Sequence, residues 1–163
     1  MFGGIFVKRF MAVLMVFLLV VSCAFASDLD TLVEGHNKNA AVTGAGTLSG
    51  KPEKERGEKY DYYQYKVTDE VYVLFYEKEG KIMAFACICM EEGSAGEFLA
   101  QCATSFYNIG GTEAGTACHG SLLQSFLSAR AGHDAEAEDS VPGFLYTLRH
   151  SSGGYTFTMM WTK

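Results

Sequence analysis

The chain has 163 residues, and 48% of them are hydrophobic. Its 19 acidic residues outnumber its 13 basic residues, which gives a formal net charge of −6 at pH 7. This length suits one domain with a substantial core, and the acidic balance argues against nucleic acid or an anionic lipid surface as a partner.

The first 26 residues have the three parts of a secretory signal peptide. Lys8 and Arg9 give a positive start, residues 11–21 form a continuous apolar core, and Ala-Phe-Ala at 24–26 is a small-x-small cleavage site. The apolar core is too short for a comfortable transmembrane span. We therefore predict export across the cytoplasmic membrane, to the periplasm or the medium. The mature chain then has 11 basic against 19 acidic residues, a net charge of −8.

A second signal overlaps the first. Residues 20–23, Val-Val-Ser-Cys, resemble the lipobox of bacterial lipoproteins, in which the cysteine becomes the lipid-modified first residue. Acyl chains on Cys23 would anchor an otherwise soluble domain. The cleavage site at 24–26 favours the alternative that Cys23 is an ordinary residue of a removed signal. Membrane contact is expected only through the signal or such an anchor.

Residues 27–59 show little apolar periodicity. A short helix is predicted from Asp28 to Asn39, with Asp28 or Asp30 as its N-cap. The glycines and alternating charges of residues 39–59 predict a loop or tether that leaves room for an edge strand at 41–43.

Three strand-like runs follow between residues 60 and 90. The first, residues 60–67, places Tyr63, Tyr65 and Val67 on one face by alternation. The next two, residues 71–76 and 82–90, are apolar at every position, which is typical of strands buried on both faces. Short polar links predict an antiparallel meander, which needs cover because three strands alone are marginally stable in water.

Two helices are predicted next. Ser94 and Glu97 match a capping box, and apolar residues recur at helical spacing until Gly110-Gly111 ends the first helix. A second helix is predicted within residues 116–130, followed by an acidic loop or helix extension at 133–139. The buried stripe of this second helix is predicted to consist of His119, Leu122, Leu123, Phe126 and Leu127.

The last two runs, residues 144–149 and 155–161, alternate around a Ser-Ser-Gly-Gly turn and predict a hairpin. The element order is then β-β-β-α-α-β-β. It predicts one α+β domain over residues 60–163, an antiparallel sheet of about five strands with two helices packed on one face.

The exported chain keeps four cysteines, Cys87, Cys89, Cys102 and Cys118. In an oxidising compartment they suggest two disulfides. Cys87 and Cys89 lie on one strand face with parallel side chains, so each is expected to pair with a later cysteine rather than with the other. The alternative is that all four are reduced core residues, and the sequence leaves both interpretations open.

Catalytic and metal chemistry receive little support. The cysteines and His119 lack the C-x₂-C spacing of structural zinc sites, so we predict no metal, and no motif predicts a cofactor. A hydrolase would need Cys118 as nucleophile with His133 or His150 as base, because His119 points about a quarter-turn away on the helix. No G-x-S-x-G motif is present. We expect these histidines to be surface or loop residues.

Six tyrosines crowd the first two strands, and Tyr62, Tyr72 and Tyr76 share one face. Tyrosine offers a large, rigid contact area with a polar tip and is enriched at interfaces. If helices leave this face uncovered, it is the candidate binding surface; the alternative is ordinary sheet packing. We therefore expect an exported, non-catalytic binding domain for an unidentified protein or small molecule. A small hydrolase and a lipid-anchored lipoprotein are the alternatives.

Overall fold

Seven strands and two helices make up the part of the chain that the computed structural model describes, which is residues 28–132, 135–138, 144–151 and 153–161. The predicted signal peptide, the lipobox-like residues 20–23 with Cys23, and His133 lie outside these residues. The elements in chain order are α1 (Leu29–Thr43), β1 (Glu53–Arg56), β2 (Asp61–Lys66), β3 (Val71–Lys78), β4 (Lys81–Cys89), a 3₁₀ turn (Glu92–Ser94), α2 (Ala95–Arg130), β5 (Ala135–Glu138), β6 (Phe144–Ser151) and β7 (Gly154–Trp161).

All seven strands form one antiparallel sheet in the order β1-β2-β3-β4-β7-β6-β5. The α+β class and the antiparallel sheet are confirmed, and β2, β3, β4, β6 and β7 are the five predicted strands. The two additional strands, β1 and β5, form the two edges. The long connection through α2 brings β7 next to β4, so Cys87 lies between Val73 and Phe157 at the centre of the sheet.

The predicted tether is part of this fold. Asp28 caps α1, because its carboxylate accepts a hydrogen bond of 2.8 Å from the backbone N–H of Thr31. The helix continues through the expected edge strand at 41–43 and ends at Gly44, whose φ of 77° suits glycine. β1 then pairs with β2. Residues 29–56 therefore add a helix and an edge strand to the domain.

The long helix α2 contains the break that the glycine pair predicts. Gly111 has φ 75° and ψ −173°, a backbone conformation essentially restricted to glycine, and helical conformation resumes at once on its far side. The predicted capping box is wrong. The Ser94 side chain makes no cap hydrogen bond, and the Ser94 backbone N–H donates to the Glu91 carbonyl, at 3.1 Å, within the 3₁₀ turn.

One face of the sheet forms the main core with the helices. Phe85 and Phe157 of the central strands contact each other edge to face, and Phe157 also contacts Phe106 of α2, with ring centroids 5.6 Å apart. A bulge between Tyr76 and Glu77 of β3 shifts the register of β4. The bulge explains why Ile82 is buried in the helix-side core, whereas strict alternation with Ala84 and Ala86 would place it on the other face.

Candidate functional site

The face of the sheet turned away from both helices carries the predicted tyrosines. Tyr62 of β2 lies opposite Tyr76 of β3, and Tyr72 lies on the same side. We call this surface the tyrosine face. Its members come from strands, apart from Tyr60 just before β2. Its buried residues are Tyr62, Leu74, Tyr76, Ala84, Ala86 and Met160, and Tyr60, Tyr72, Ile88 and Leu145 pack around them, partly buried.

Tyr62 and Tyr76 form the floor of the tyrosine face. Each is only 4% exposed, and their ring centroids lie 5.8 Å apart. The Tyr62 hydroxyl donates a hydrogen bond of 2.5 Å to Glu55 of β1. Burial raises the pKa of both hydroxyls, and the neighbouring Glu55 carboxylate raises that of Tyr62 further. Both side chains are therefore neutral and packed in place.

Tyr72 is the one of the three predicted binding tyrosines that keeps part of its surface exposed. Its hydroxyl donates to the carbonyl of Asp69 at 3.1 Å, which fixes the position of the end of the ring. Ile88 lies directly opposite Tyr72 on β4. Together with Tyr60 and Leu145 they form a partly exposed rim around the buried floor.

The four cysteines of the described chain are all buried thiols on the helix side of the sheet. The Cys87 thiol of β4 lies near enough to Cys102 of α2 to help raise its pKa, and Cys89 Sγ donates to the Glu91 carbonyl at 2.9 Å. Burial raises the pKa of Cys89, and raises that of Cys102 well above its usual value. Uncharged thiols are poor nucleophiles and poor metal ligands. The alternative in which all four of these cysteines are reduced core residues therefore describes this structure.

The Cys118 site of the hydrolase alternative is not assembled from the described histidines. Cys118 is fully buried, and the adjacent His119 is exposed. His150 of β6 instead places Nε2 at 3.0 Å from Glu92 Oε1 and stacks its ring on Tyr155, with centroids 4.8 Å apart. Among the described residues, no group of three His, Cys, Asp or Glu side chains could hold a metal ion.

Sequence analysis missed His36, a fully buried residue of α1. Its Nε2 lies 2.6 Å from Gln101 Oε1 of α2, while the Gln101 amide nitrogen donates to the Gly46 carbonyl and to Glu97 Oε1, each at 2.7 Å. Because Gln101 turns its oxygen towards His36, Nε2 must carry the proton. Nδ1 is then an unprotonated acceptor, and it has no partner among the described atoms. Burial lowers the pKa of His36 to about 4.

Comparisons with protein-family models, curated proteins and solved structures gave no match. In the part of the chain that the structure describes, neither helix is both long and apolar enough to cross a membrane. We therefore infer the function from the geometry of the site itself.

Proposed function

We propose that this protein is an exported, non-catalytic binding domain that contacts its ligand through the tyrosine face. The observation that carries the proposal is the one-sided placement of the helices. Both described helices pack against the same side of the sheet and leave an aromatic and aliphatic cluster on the other side. Such a surface suits a protein segment or small molecule that presents apolar groups.

The tyrosine face has two structural parts with different roles. Tyr62 and Tyr76 are buried and hold the floor rigid, while Tyr72 and Ile88 are partly exposed and supply the contacts. A rim that is already ordered by the floor loses little conformational entropy when a ligand binds. Binding energy is therefore expected to depend most on the rim.

Export is part of the same proposal. It is supported by the three-part signal in residues 1–26 and by the acidic mature chain. Residues 20–23 keep a lipid anchor on Cys23 as an alternative form of the exported protein. In either form the tyrosine face belongs to a domain outside the cytoplasm.

The proposal is tested by capture of partners from the envelope and medium of the native host. The bait is the mature chain, and the test variants are Ile88→Glu and Tyr72→Ala. Val42→Glu is the matched control, because Val42 is 71% exposed on α1, away from the tyrosine face. We expect a partner that wild type and Val42→Glu retain equally and that Ile88→Glu weakens at least about tenfold, or about 1.4 kcal/mol.

The same preparations are assayed against a panel of esters and peptides. Hydrolysis by wild type that survives Ile88→Glu would overturn the non-catalytic assignment. Capture that Ile88→Glu and Tyr72→Ala leave unchanged would instead remove the tyrosine face from the binding surface. Circular dichroism of each variant confirms that the fold is retained.

A further inference from the structure

The part of α2 after Gly111 has an apolar face that the sheet does not use. Leu123 is 49% exposed and Leu127 is 58% exposed. The predicted buried stripe of this helix is therefore only partly correct. Leu122 and Phe126 pack into the core, whereas Leu123, Leu127 and His119 lie on the outer side.

These leucines belong to a longer row that alternates steps of three and four residues along the helix. All six of its residues are exposed. This alternation keeps side chains on one face and is the spacing by which two helices pack at a shallow angle. We call the row the outer seam; it consists of Glu113, Thr116, Gly120, Leu123, Leu127 and Arg130.

Gly120 lies in the middle of the outer seam, where no described part of its own chain requires a glycine. A Cβ added there meets no described atom within 4 Å. Gly115, on the buried side of the same helix, differs, because its Cβ would lie 2.4 Å from the Tyr107 ring. A glycine inside a helix is less stable than alanine by about 1 kcal/mol. Close approach of a second helix explains a glycine at position 120.

The two ends of the outer seam carry opposite charges. Glu113 and Arg130 are separated by about 26 Å along the helix axis, at 1.5 Å per residue, so they cannot pair within one chain. In two antiparallel copies related by a two-fold axis between residues 121 and 122, Glu113 of each copy faces the partner's Arg130. The same axis places Leu123 over the partner's Gly120.

We propose that the protein forms a two-fold symmetric dimer through the outer seam of α2. Leucine packs against glycine at the centre, and each end is closed by a Glu113–Arg130 pair. The seam belongs to the helix layer, and the tyrosine face lies on the opposite side of the sheet. The dimer therefore goes beyond the proposed binding function, and each can fail without the other.

The test is sedimentation equilibrium of the mature chain over a wide concentration range. We expect a monomer–dimer equilibrium that Leu123→Glu with Leu127→Glu weakens at least about a hundredfold, because four carboxylates would then be buried without partners. Val42→Glu, the same kind of change at an exposed site outside the seam, should leave the equilibrium unchanged.

A charge exchange tests the antiparallel register. Glu113→Arg and Arg130→Glu should each weaken the dimer, because each places like charges opposite one another across the two-fold axis. The double variant should recover the wild-type dissociation constant. Both positions are exposed, so these variants are expected to fold.

Gly120→Ala should have opposite effects on the stability of the monomer and on the affinity of the dimer. It should raise the unfolding temperature of the dilute monomer and weaken the dimer, since the added Cβ improves the helix but blocks close approach. A monomer at every concentration would overturn the proposal. A dimer whose dissociation constant the seam variants leave unchanged would also overturn it, as would a double charge variant that does not recover the wild-type dissociation constant. The same holds for a monomer that binds phosphatidylcholine vesicles through the seam.

Discussion

His36 links α1 to α2 through one hydrogen bond, and its protonation state makes the stability of this contact depend on pH. It is neutral, carries its proton on Nε2, and donates that proton to Gln101 of α2. Burial lowers its pKa to about 4 and outweighs the hydrogen bond to Gln101 and the negative charge of Glu97, which both favour the charged form. Protonation would add a proton to Nδ1, and no described atom is in place to accept a hydrogen bond from it.

The stability of the domain is therefore expected to fall in mild acid. The unfolded chain binds a proton at His36 near pH 6.5, whereas the folded chain does so only near pH 4. The contribution is complete above pH 6.5 and is lost as the pH falls from 6.5 to 4, by about 3 kcal/mol in total. Denaturant unfolding at a series of pH values measures this loss.

Carboxylates also titrate in that range, so the comparison must be with variants. His36→Gln removes the titrating group and should flatten the dependence relative to wild type, whereas His119→Gln, at an exposed position, should leave it unchanged. The ¹⁵N shifts of the imidazole report the Nε2–H tautomer directly in the wild-type protein. An Nδ1–H tautomer, or a free-histidine titration at His36, would contradict the assignment.

Sequence reasoning found the residues that repeat and missed those that act through distant partners. Tyr65 and Phe157 belong to alternating runs and Phe85 to a continuous apolar run, and all three are buried in the core on the helix side of the sheet. His36 belongs to no pattern of this kind. Its partner Gln101 lies 65 positions away, and only the packing of α1 on α2 brings the two together.

At the scale of elements, Glu97 has the residue type that a capping box requires, but its side chain bonds to a different partner. It was expected to cap its own helix, but its Oε1 accepts hydrogen bonds from the Gly46 backbone N–H at 2.8 Å and from Gln101 at 2.7 Å. Asn37 holds the same loop by bonding both the N–H and the carbonyl of Leu48. The connection from α1 to β1 is thus fastened to both helices.

We expect Glu97→Ala to destabilise the domain by about 2 kcal/mol, because two donors lose a charged acceptor. Ser94→Ala should change the free energy of unfolding by less than about 0.5 kcal/mol, whereas loss of a working N-cap costs about 1 kcal/mol. Denaturant titrations of both variants make the comparison. Equal losses in the free energy of unfolding from the two substitutions would support the capping box and contradict the contact between Glu97 and the loop.

The two edge strands were missed for a physical reason. β1 has the sequence Glu-Lys-Glu-Arg and is exposed throughout, and β5 reads Ala-Glu-Ala-Glu. Edge strands carry charges because these discourage pairing with other chains. Glutamate, lysine and alanine are depleted in strands, so the composition of these two runs does not identify them as strands. The central strands have the opposite composition and were found from their apolar runs.

For the whole molecule, the sheet divides two kinds of surface. The helix side holds the large aromatic core and all four thiols, whereas the other side holds the tyrosine face. The charged residues of β1 and β5 disfavour strand addition at the two edges of the described sheet. Contacts with other molecules are therefore expected on apolar surfaces of the described domain, namely the rim of the tyrosine face and the outer seam.

Burial on the helix side also sets the cysteine chemistry. Each thiol is at most 2% exposed, and burial raises the pKa of Cys89 and Cys102. In the folded mature chain that we propose, we therefore expect a thiol-alkylating reagent to add no label, and after unfolding without reductant to add four. Intact mass measures the count and also shows whether the chain begins at Ser27 or at an acylated Cys23. The lipid-linked sulfur of Cys23 would not react, so the count of four holds for both forms.

A parallel sample unfolded with reductant serves as the control and should carry the same four labels. Two labels, or none, in the sample without reductant would show one or two disulfides and establish the oxidised alternative. Fast labelling of Cys118 in the folded protein would show an accessible thiol and return the hydrolase alternative to consideration. Four labels that appear only on unfolding would place all four cysteines in the core as packing residues, and recognition would then depend on the outer surfaces of the domain.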